Sequence, residues 1–232
     1  MRLVTAADLA KVIDRARVIL RDFDGPVCSI FAQHPAPTVA HELRRLLVDQ
    51  GVTLTPEILA ERDPLAVLRF TATLGRPAVV RLIDQAMTCE EVTAARTATP
   101  TPYGREVIVA AQQTGRRVAV VSNNSAESVH AYLSARRLTG YVHPVMGRPE
   151  AAPERMKPDP FPVLEAVREL GTEPAECVLV GDSVTDIEAA HAAGVVAIGY
   201  ANKPGKRERF AAAEVVIGSK AELVSAFAVD EL

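Results

Sequence analysis

The chain has 232 residues, of which 48% are hydrophobic and 24% are charged, and its formal net charge is −3. This composition is typical of a soluble globular protein, and the charge argues against a nucleic acid partner, which needs a basic face. No apolar run approaches the roughly 18 residues of a membrane-spanning helix, so we expect no membrane partner. Cys28, Cys89 and Cys177 are widely spaced without a CxxC pair, which predicts reduced thiols and a cytoplasmic location.

The first predicted strand, at residues 17–20, ends beside two acids. Asp22 and Asp24 are separated by one residue, so in an extended chain both side chains point to the same side. Two carboxylates that close repel each other unless a metal ion, a shared proton or a cation stabilises them. Gly25 then permits a sharp turn. Because open α/β sheets bind ligands at the carboxyl ends of their strands, we predict a ligand site here.

The next stretch, from residue 27 to about residue 100, shows helical periodicity and no convincing strand. We predict helices at residues 41–49, 57–60, 64–74 and 77–95. The Thr- and Pro-rich segment 97–102 is typical of a linker that returns to the main domain. We therefore predict a helical cap at residues 27–100, with residues 1–26 and 101–232 forming the core. A cap above the acidic turn can exclude water and select a substrate.

In the second half, nearly continuous apolar runs alternate with amphipathic segments. The predicted strands are residues 118–122, 177–181, 195–200 and 214–217. The predicted helices are residues 104–114, 126–137, 161–170 and 184–193. Alternation of this kind predicts an α/β fold with a doubly wound parallel sheet, here carrying a smaller all-helical domain. The basic run at 206–209 is interrupted by Glu208, which favours a solvated loop.

Further polar groups follow the later strands. Ser122 and Asn123 come at the end of one strand, Asp182 at the end of another, and Asp186 lies one helical turn later, while Lys157 occupies a loop before a helix. In a doubly wound sheet these segments can converge on one crevice.

This set of groups favours phosphoryl transfer. A carboxylate can attack phosphorus to form a covalent intermediate, and a second carboxyl group can act as general acid and base. A lysine and a divalent cation offset the negative charge, and a site of carboxylate oxygens suits Mg²⁺.

These segments resemble, in order and spacing, the four motifs of haloacid dehalogenase-superfamily hydrolases. The motifs are Asp22-Phe23-Asp24-Gly25, Ser122, Lys157-Pro158 and Gly181-Asp182-Ser183-x-x-Asp186. The resemblance extends over about residues 17–218, nearly the whole chain. The helical insertion after the first motif is similar to the cap of phosphoglycolate phosphatase-like members.

The resemblance implies a role for each group. Asp22 would be the nucleophile and Asp24 the general acid and base. Ser122 would bind a phosphate oxygen and Lys157 would neutralise charge on the phosphate and the nucleophile. Asn123, beside Ser122, offers an additional amide contact to the phosphate.

The resemblance also implies a Mg²⁺ cofactor. The ion would be held by Asp22, the backbone carbonyl of Asp24 and Asp182, with Asp186 in support. One departure lies after Gly25, where the family often has threonine and this chain has Pro26. Proline offers neither a hydroxyl nor an amide proton, so any contact of that threonine is missing.

We therefore expect a Mg²⁺-dependent phosphatase that acts on a small phosphorylated metabolite. The dehalogenase branch lacks the second acid, which is present here. A phosphonate hydrolase of this superfamily needs a cap lysine, and residues 31–100 contain none. A sugar phosphomutase on the same scaffold stays open.

The sequence also bears on a second class of protein, on the substrate and on the oligomeric state. A receiver-like signalling module uses similar groups but is about half this length and has no helical insertion. The substrate is not identified, although Arg62 and Arg76 at predicted loop–helix junctions are candidates to bind a second anionic group. No heptad pattern predicts an oligomeric state.

Overall fold

The computed structural model describes residues 6–228 and has a six-stranded parallel sheet at its centre. Its strand order is β5-β4-β1-β6-β7-β8, and a separate two-stranded ladder pairs β2 with β3. The strands are β1 (Val18–Arg21), β2 (Cys28–Ser29), β3 (Thr99–Pro100), β4 (Arg117–Val121), β5 (Val145–Met146), β6 (Cys177–Gly181), β7 (Val196–Tyr200) and β8 (Val215–Ile217). In register, Leu20 of β1 lies between Ala119 of β4 and Leu179 of β6.

Helices connect the strands and form the insertion. They are α1 (Ala6–Arg15), α2 (Ala36–Asp49), α3 (Pro56–Ala60), α4 (Pro64–Thr71), α5 (Pro77–Thr97), α6 (Gly104–Gln113), α7 (Ala126–Ala135), α8 (Phe161–Leu170), α9 (Val184–Ala192), α10 (Lys206–Arg209) and α11 (Ala221–Ala228). Single 3₁₀ turns lie at Ala72–Leu74, Thr139–Tyr141, Pro153–Arg155 and Pro174–Glu176. Among these helices none is both long and apolar enough to cross a membrane.

The two faces of the sheet are buried under different helices. Because successive residues of a strand point to opposite faces, Ile19 packs with α1, α6, α7 and α11, whereas Val18 and Leu20 pack with α8 and α9. All four residues of β1 are buried, which explains the apolar run Val18-Ile19-Leu20. The predicted doubly wound α/β fold is therefore confirmed.

The helices of the insertion have an apolar cluster of their own. Leu43 of α2, Leu68 of α4 and Met87 of α5 belong to it, and Met156 from the loop before α8 packs against them. The predicted domain boundaries at residues 26/27 and 100/101 stay predictions, and the terminal segments 1–5 and 229–232 lie outside the described residues.

Three details of the predicted elements are wrong. The stretch expected to lack strands contains β2 and β3, which pair where the chain leaves and re-enters the core. The strand β5 at the sheet edge was not predicted, and two residues are too few for an alternating pattern to show. The basic run expected as a solvated loop is the short helix α10, and Lys206 in it contacts the site.

Candidate active site

The carboxyl ends of three neighbouring strands meet at one edge of the sheet. Asp22 follows β1, Ser122 follows β4 and Asp182 follows β6, and these strands are adjacent in the order β4-β1-β6. The residues line a cleft of about 560 Å³ between this edge and the helical insertion. All seven predicted site residues line it: Asp22, Asp24, Ser122, Asn123, Lys157, Asp182 and Asp186. A larger groove of about 1080 Å³ at the opposite ends of the strands includes none of them.

Lys157 lies at the floor of the cleft between two carboxylates. Its Nζ donates hydrogen bonds to Asp22 Oδ1 at 2.9 Å, to Asp186 Oδ1 at 2.6 Å and to the carbonyl oxygen of Val121 at 2.8 Å. An ammonium group has three donors, so these contacts fix its position. Burial alone lowers the pKa of Lys157, but the carboxylates of Asp186 and Asp22 outweigh it and raise the pKa above its usual value.

The two acids of the first motif differ in their surroundings. Burial raises the pKa of Asp22 to about 7, Lys157 opposes that shift, and Asp186 adds to it. The Oδ1 atom of Asp24 accepts a hydrogen bond from the Ile30 amide at 3.0 Å. Burial raises the pKa of Asp24 to about 6. A carboxyl group that binds a proton near neutral pH is suited to general acid and base chemistry.

Gly25 permits the close approach of the first and last motifs. Its φ angle of +104° lies in the left-handed region that favours glycine. A Cβ atom at this position would lie 2.5 Å from Cγ of Asp182. Both the backbone conformation and the space therefore require glycine here.

Three carboxylates form a group that could hold a metal ion. Oxygen atoms of Asp22, Asp182 and Asp186 lie within 4.8 Å of one another. An all-carboxylate donor set suits a hard divalent cation such as Mg²⁺. The side chain of Asp24 does not belong to this group, and the role of its backbone carbonyl in holding the ion stays a prediction.

Protein donors orient the later acids of this group. Asp186 Oδ2 accepts hydrogen bonds from the amide of Asp182 at 3.1 Å and from Ser183 Oγ at 2.7 Å, as part of the capping box of α9. Asp182 Oδ2 accepts from Asn202 Nδ2 at 2.8 Å and from Lys206 Nζ at 2.7 Å. Asp186 therefore fixes Lys157 and the start of α9 while it faces the cleft.

The side chain of Asn123 binds the backbone of Lys157. Its Oδ1 accepts from the Lys157 amide at 2.8 Å, and its Nδ2 donates to the Lys157 carbonyl oxygen at 3.1 Å. Arg69 of α4 donates to the same carbonyl oxygen at 3.1 Å. Asn123 thus lines the cleft and holds the Lys157 loop in place, and its contact to phosphate stays a prediction.

Some residues that line the cleft or contact its acids were not predicted from the sequence. Asn202 and Lys206 follow β7 at the same edge of the sheet. Their position after a strand end is the feature of the sequence that could have predicted them. Of the two arginines chosen from the sequence, Arg62 lines the cleft, whereas Arg76 is exposed and donates to the carbonyl oxygen of Gln50. Arg69 lines the cleft as well.

Known proteins are similar to this chain over part or most of its length. Residues 74–200 match the family described as haloacid dehalogenase-like hydrolase. A phosphoglycolate phosphatase of Nitrosococcus oceani is 32% identical over 111 residues, which are 47% of this chain and 48% of that protein. One of Aquifex aeolicus is 37% identical over 93 residues, which are 40% of this chain and 41% of that protein. The chain spans about half the length of the curated relatives it matches.

A solved structure extends the likeness to the whole fold. CbbY from Rhodobacter sphaeroides in complex with phosphate superposes with a TM-score of 0.67 at 23% identity, covering 92% of this chain and 99% of that one. At this identity the likeness shows the fold alone. The family match covers more than half of the chain and includes the segments of Ser122, Lys157 and Asp182. As the motifs predicted, the chain belongs to the haloacid dehalogenase-like hydrolases.

Proposed function

We propose that the protein is a Mg²⁺-dependent phosphatase that hydrolyses a small phosphorylated metabolite through an aspartyl-phosphate on Asp22. The observation that carries the proposal is the position of Asp22 at the cleft floor, 2.9 Å from Lys157 Nζ and within the group of three carboxylates. The curated relatives named as phosphoglycolate phosphatases support the same reaction class.

The reaction proceeds in two displacements. A carboxylate oxygen of Asp22 attacks phosphorus, the bond from phosphorus to the ester oxygen breaks, and Asp24 gives its proton to the leaving oxygen. Water then attacks the acyl phosphate, and Asp24 takes a proton from that water. Inorganic phosphate leaves and the Asp22 carboxylate is restored.

The other residues of the cleft bind charge and orient groups. Lys157 neutralises the phosphoryl oxygens and the Asp22 carboxylate. The Ser122 hydroxyl, which donates its one proton to Asn124 Oδ1 in the free site, turns to donate it to a phosphoryl oxygen of the substrate. The residues present fit Mg²⁺, which Asp22, Asp182 and the Asp24 carbonyl would hold with Asp186 behind them. When bound, the ion supplies further charge neutralisation on the phosphoryl group.

A phosphate-release screen over a panel of phosphorylated metabolites tests the proposal. Continuous release of inorganic phosphate from at least one ester is expected. Conversion of a sugar phosphate to its isomer without release would instead establish a phosphomutase. A stable phosphoprotein without turnover would indicate a receiver-like module.

Removal of divalent cations is expected to abolish phosphate release, because the charge of the substrate and of the acidic cleft then repel each other. The measurement is turnover of p-nitrophenyl phosphate in EDTA, followed by addition of excess MgCl₂. Circular dichroism in EDTA is the control for folding. Undiminished turnover in EDTA would contradict the metal requirement.

We propose further that the substrate carries a second anionic group, which Arg62 binds. Arg62, from the insertion, lines the same cleft as the residues proposed to bind phosphate. An arginine binds carboxylate or phosphate oxygens through its forked donors. Phosphoglycolate, named in the two curated relatives, carries a carboxylate beside its phosphate.

Arg62→Ala is therefore expected to raise KM for phosphoglycolate roughly tenfold, the scale of one lost charge-assisted hydrogen bond at an exposed site. The KM for p-nitrophenyl phosphate, which lacks a second anion, should stay unchanged. Arg76→Ala is the matched control, because Arg76 is exposed and outside the cleft. Equal KM values for phosphoglycolate in wild type and Arg62→Ala would contradict this role.

A further inference from the structure

A buried ionic network joins the helical insertion to the loop that follows β4. Glu91 of α5 has 0% of its surface exposed, and the Arg148 side chain, from the loop after β5, has 1%. Arg148 Nη1 donates to Glu91 Oε2 at 2.7 Å, and Arg148 Nε donates to Asp84 Oδ1 at 2.5 Å. Neither Glu91 nor Arg148 lines the cleft.

The network is fully hydrogen-bonded at Glu91. Oε1 accepts from Asn124 Nδ2 at 2.9 Å, and Oε2 also accepts from the Ser125 amide at 2.9 Å. Burial of a charge costs several kcal/mol unless the charge is paired and hydrogen-bonded. Because both conditions are met here, Glu91 holds two consecutive residues of the loop in a single arrangement.

Asn124, which Glu91 holds in place, is in turn hydrogen-bonded to Ser122. The Ser122 hydroxyl donates to Asn124 Oδ1 at 3.2 Å, and the Asn124 amide donates to Ser122 Oγ at 3.1 Å. The orientation of Ser122 Oγ is therefore set by Asn124, whose other end is held by Glu91. Arg148 also donates to the Asn123 carbonyl oxygen at 3.3 Å.

We infer that Glu91, held by Arg148, is a positioning residue that fixes Ser122 Oγ in place at the cleft from the buried side of α5. The inference rests on the proposed function, in which Ser122 binds a phosphoryl oxygen. A group that fixes this hydroxyl in advance avoids the cost of ordering it during the reaction. The alternative is that the ion pair of Glu91 and Arg148 contributes to stability alone. The two explanations differ in whether the effect of a Glu91 substitution on activity depends on the presence of Ser122.

The test is a double-mutant cycle on kcat/KM with p-nitrophenyl phosphate. Glu91→Gln keeps the shape of the side chain but replaces one acceptor oxygen with an amide donor, and a roughly tenfold loss is expected, the scale of one buried hydrogen bond. In a Ser122→Ala background the same change should have almost no effect, because the group that it positions is gone. Multiplicative losses in the two backgrounds would overturn the inference.

A matched control uses the neighbouring acid of the same helix. Glu90 lies outside the cleft and pairs with His34 at 2.6 Å. Glu90→Gln is expected to leave kcat/KM unchanged. Should Glu91→Gln fail to fold, Arg148→Lys replaces it in the cycle, because lysine keeps the charge that neutralises Glu91 but cannot reproduce the forked contacts.

Amide hydrogen exchange separates failure of this inference from failure of the proposed function. The Ser125 amide donates directly to Glu91, so the peptide containing residues 122–125 should exchange faster in Glu91→Gln and not in Glu90→Gln. If wild type released no phosphate, the proposed function would fail, and this exchange result alone would decide whether Glu91 orders the loop. Unchanged exchange in Glu91→Gln would overturn the inference even in an active enzyme.

Discussion

Asp22→Asn is expected to lower phosphate release by roughly 10⁴-fold or more, because an amide cannot replace the carboxylate that attacks phosphorus. The variant should fold, since asparagine has the same shape and can still accept a hydrogen bond from Lys157 through its carbonyl oxygen. The loss should appear in kcat with every ester, because the nucleophile is common to all substrates. The measurement is continuous phosphate release with p-nitrophenyl phosphate and with the best substrate of the screen.

Two controls accompany this variant. Asp49→Asn makes the same substitution at an exposed position of α2 and should keep wild-type turnover. Thermal unfolding of Asp22→Asn should show a cooperative transition, which excludes loss of structure as the cause. Turnover near the wild-type rate in a folded Asp22→Asn variant would show that another group attacks phosphorus.

Asp24→Asn is expected to lower steady-state turnover by about 10²–10⁴-fold, the range contributed by a positioned general acid and base. The two half-reactions should respond differently. The nitrophenolate leaving group departs with little help from an acid, so formation of the acyl phosphate should persist, whereas its hydrolysis needs the base. Rapid-mixing experiments should show a burst of nitrophenolate close to one equivalent per enzyme, followed by slow turnover.

Alkyl phosphate esters provide the contrast to this result. Their leaving alkoxides need a proton, so Asp24→Asn should slow the first step as well and show no burst. A burst of equal size with both kinds of ester, or with neither, would contradict the assignment of Asp24 to both proton transfers.

The sequence predicted the part of the site that depends on the strand ends. Asp22, Ser122 and Asp182 each follow an apolar run, and alternating strands and helices imply a parallel sheet whose carboxyl ends coincide. Their convergence therefore follows from the pattern once the strands are recognised. Lys157 lies in a loop with no periodicity of its own, so its place in the site was predicted from the convergence of the segments and its role from the resemblance to the family motifs.

The contacts behind these residues could not be predicted in the same way. Lys206 reaches Asp182 only because the segment after β7 returns to the end of β6, and no local pattern encodes that path. Asp84, Thr88 and Glu91 form a polar stripe at helical spacing on α5, which looks like a solvated face in the sequence. Its burial against Arg148, 57 residues beyond Glu91, depends on how the insertion docks on the core.

The two-residue strands show a different limit. β2, β3 and β5 have two residues each, which is too short for a repeated alternation of apolar and polar residues to be recognised. They form because neighbouring elements bring their backbones into pairing distance, so their positions are set by tertiary structure. The longer strands β1 and β6 are nearly continuous apolar runs, and the predicted ends agree with the structure to within one residue.

The formation of an acyl phosphate on Asp22 is tested most directly by acid quenching of Asp24→Asn during the burst. Intact-protein mass spectrometry should show the added mass of one phosphoryl group, and reduction with borohydride followed by peptide mapping should locate the modification at Asp22. A burst of product without any phosphorylated protein, or with the phosphoryl group on a different residue, would contradict the account.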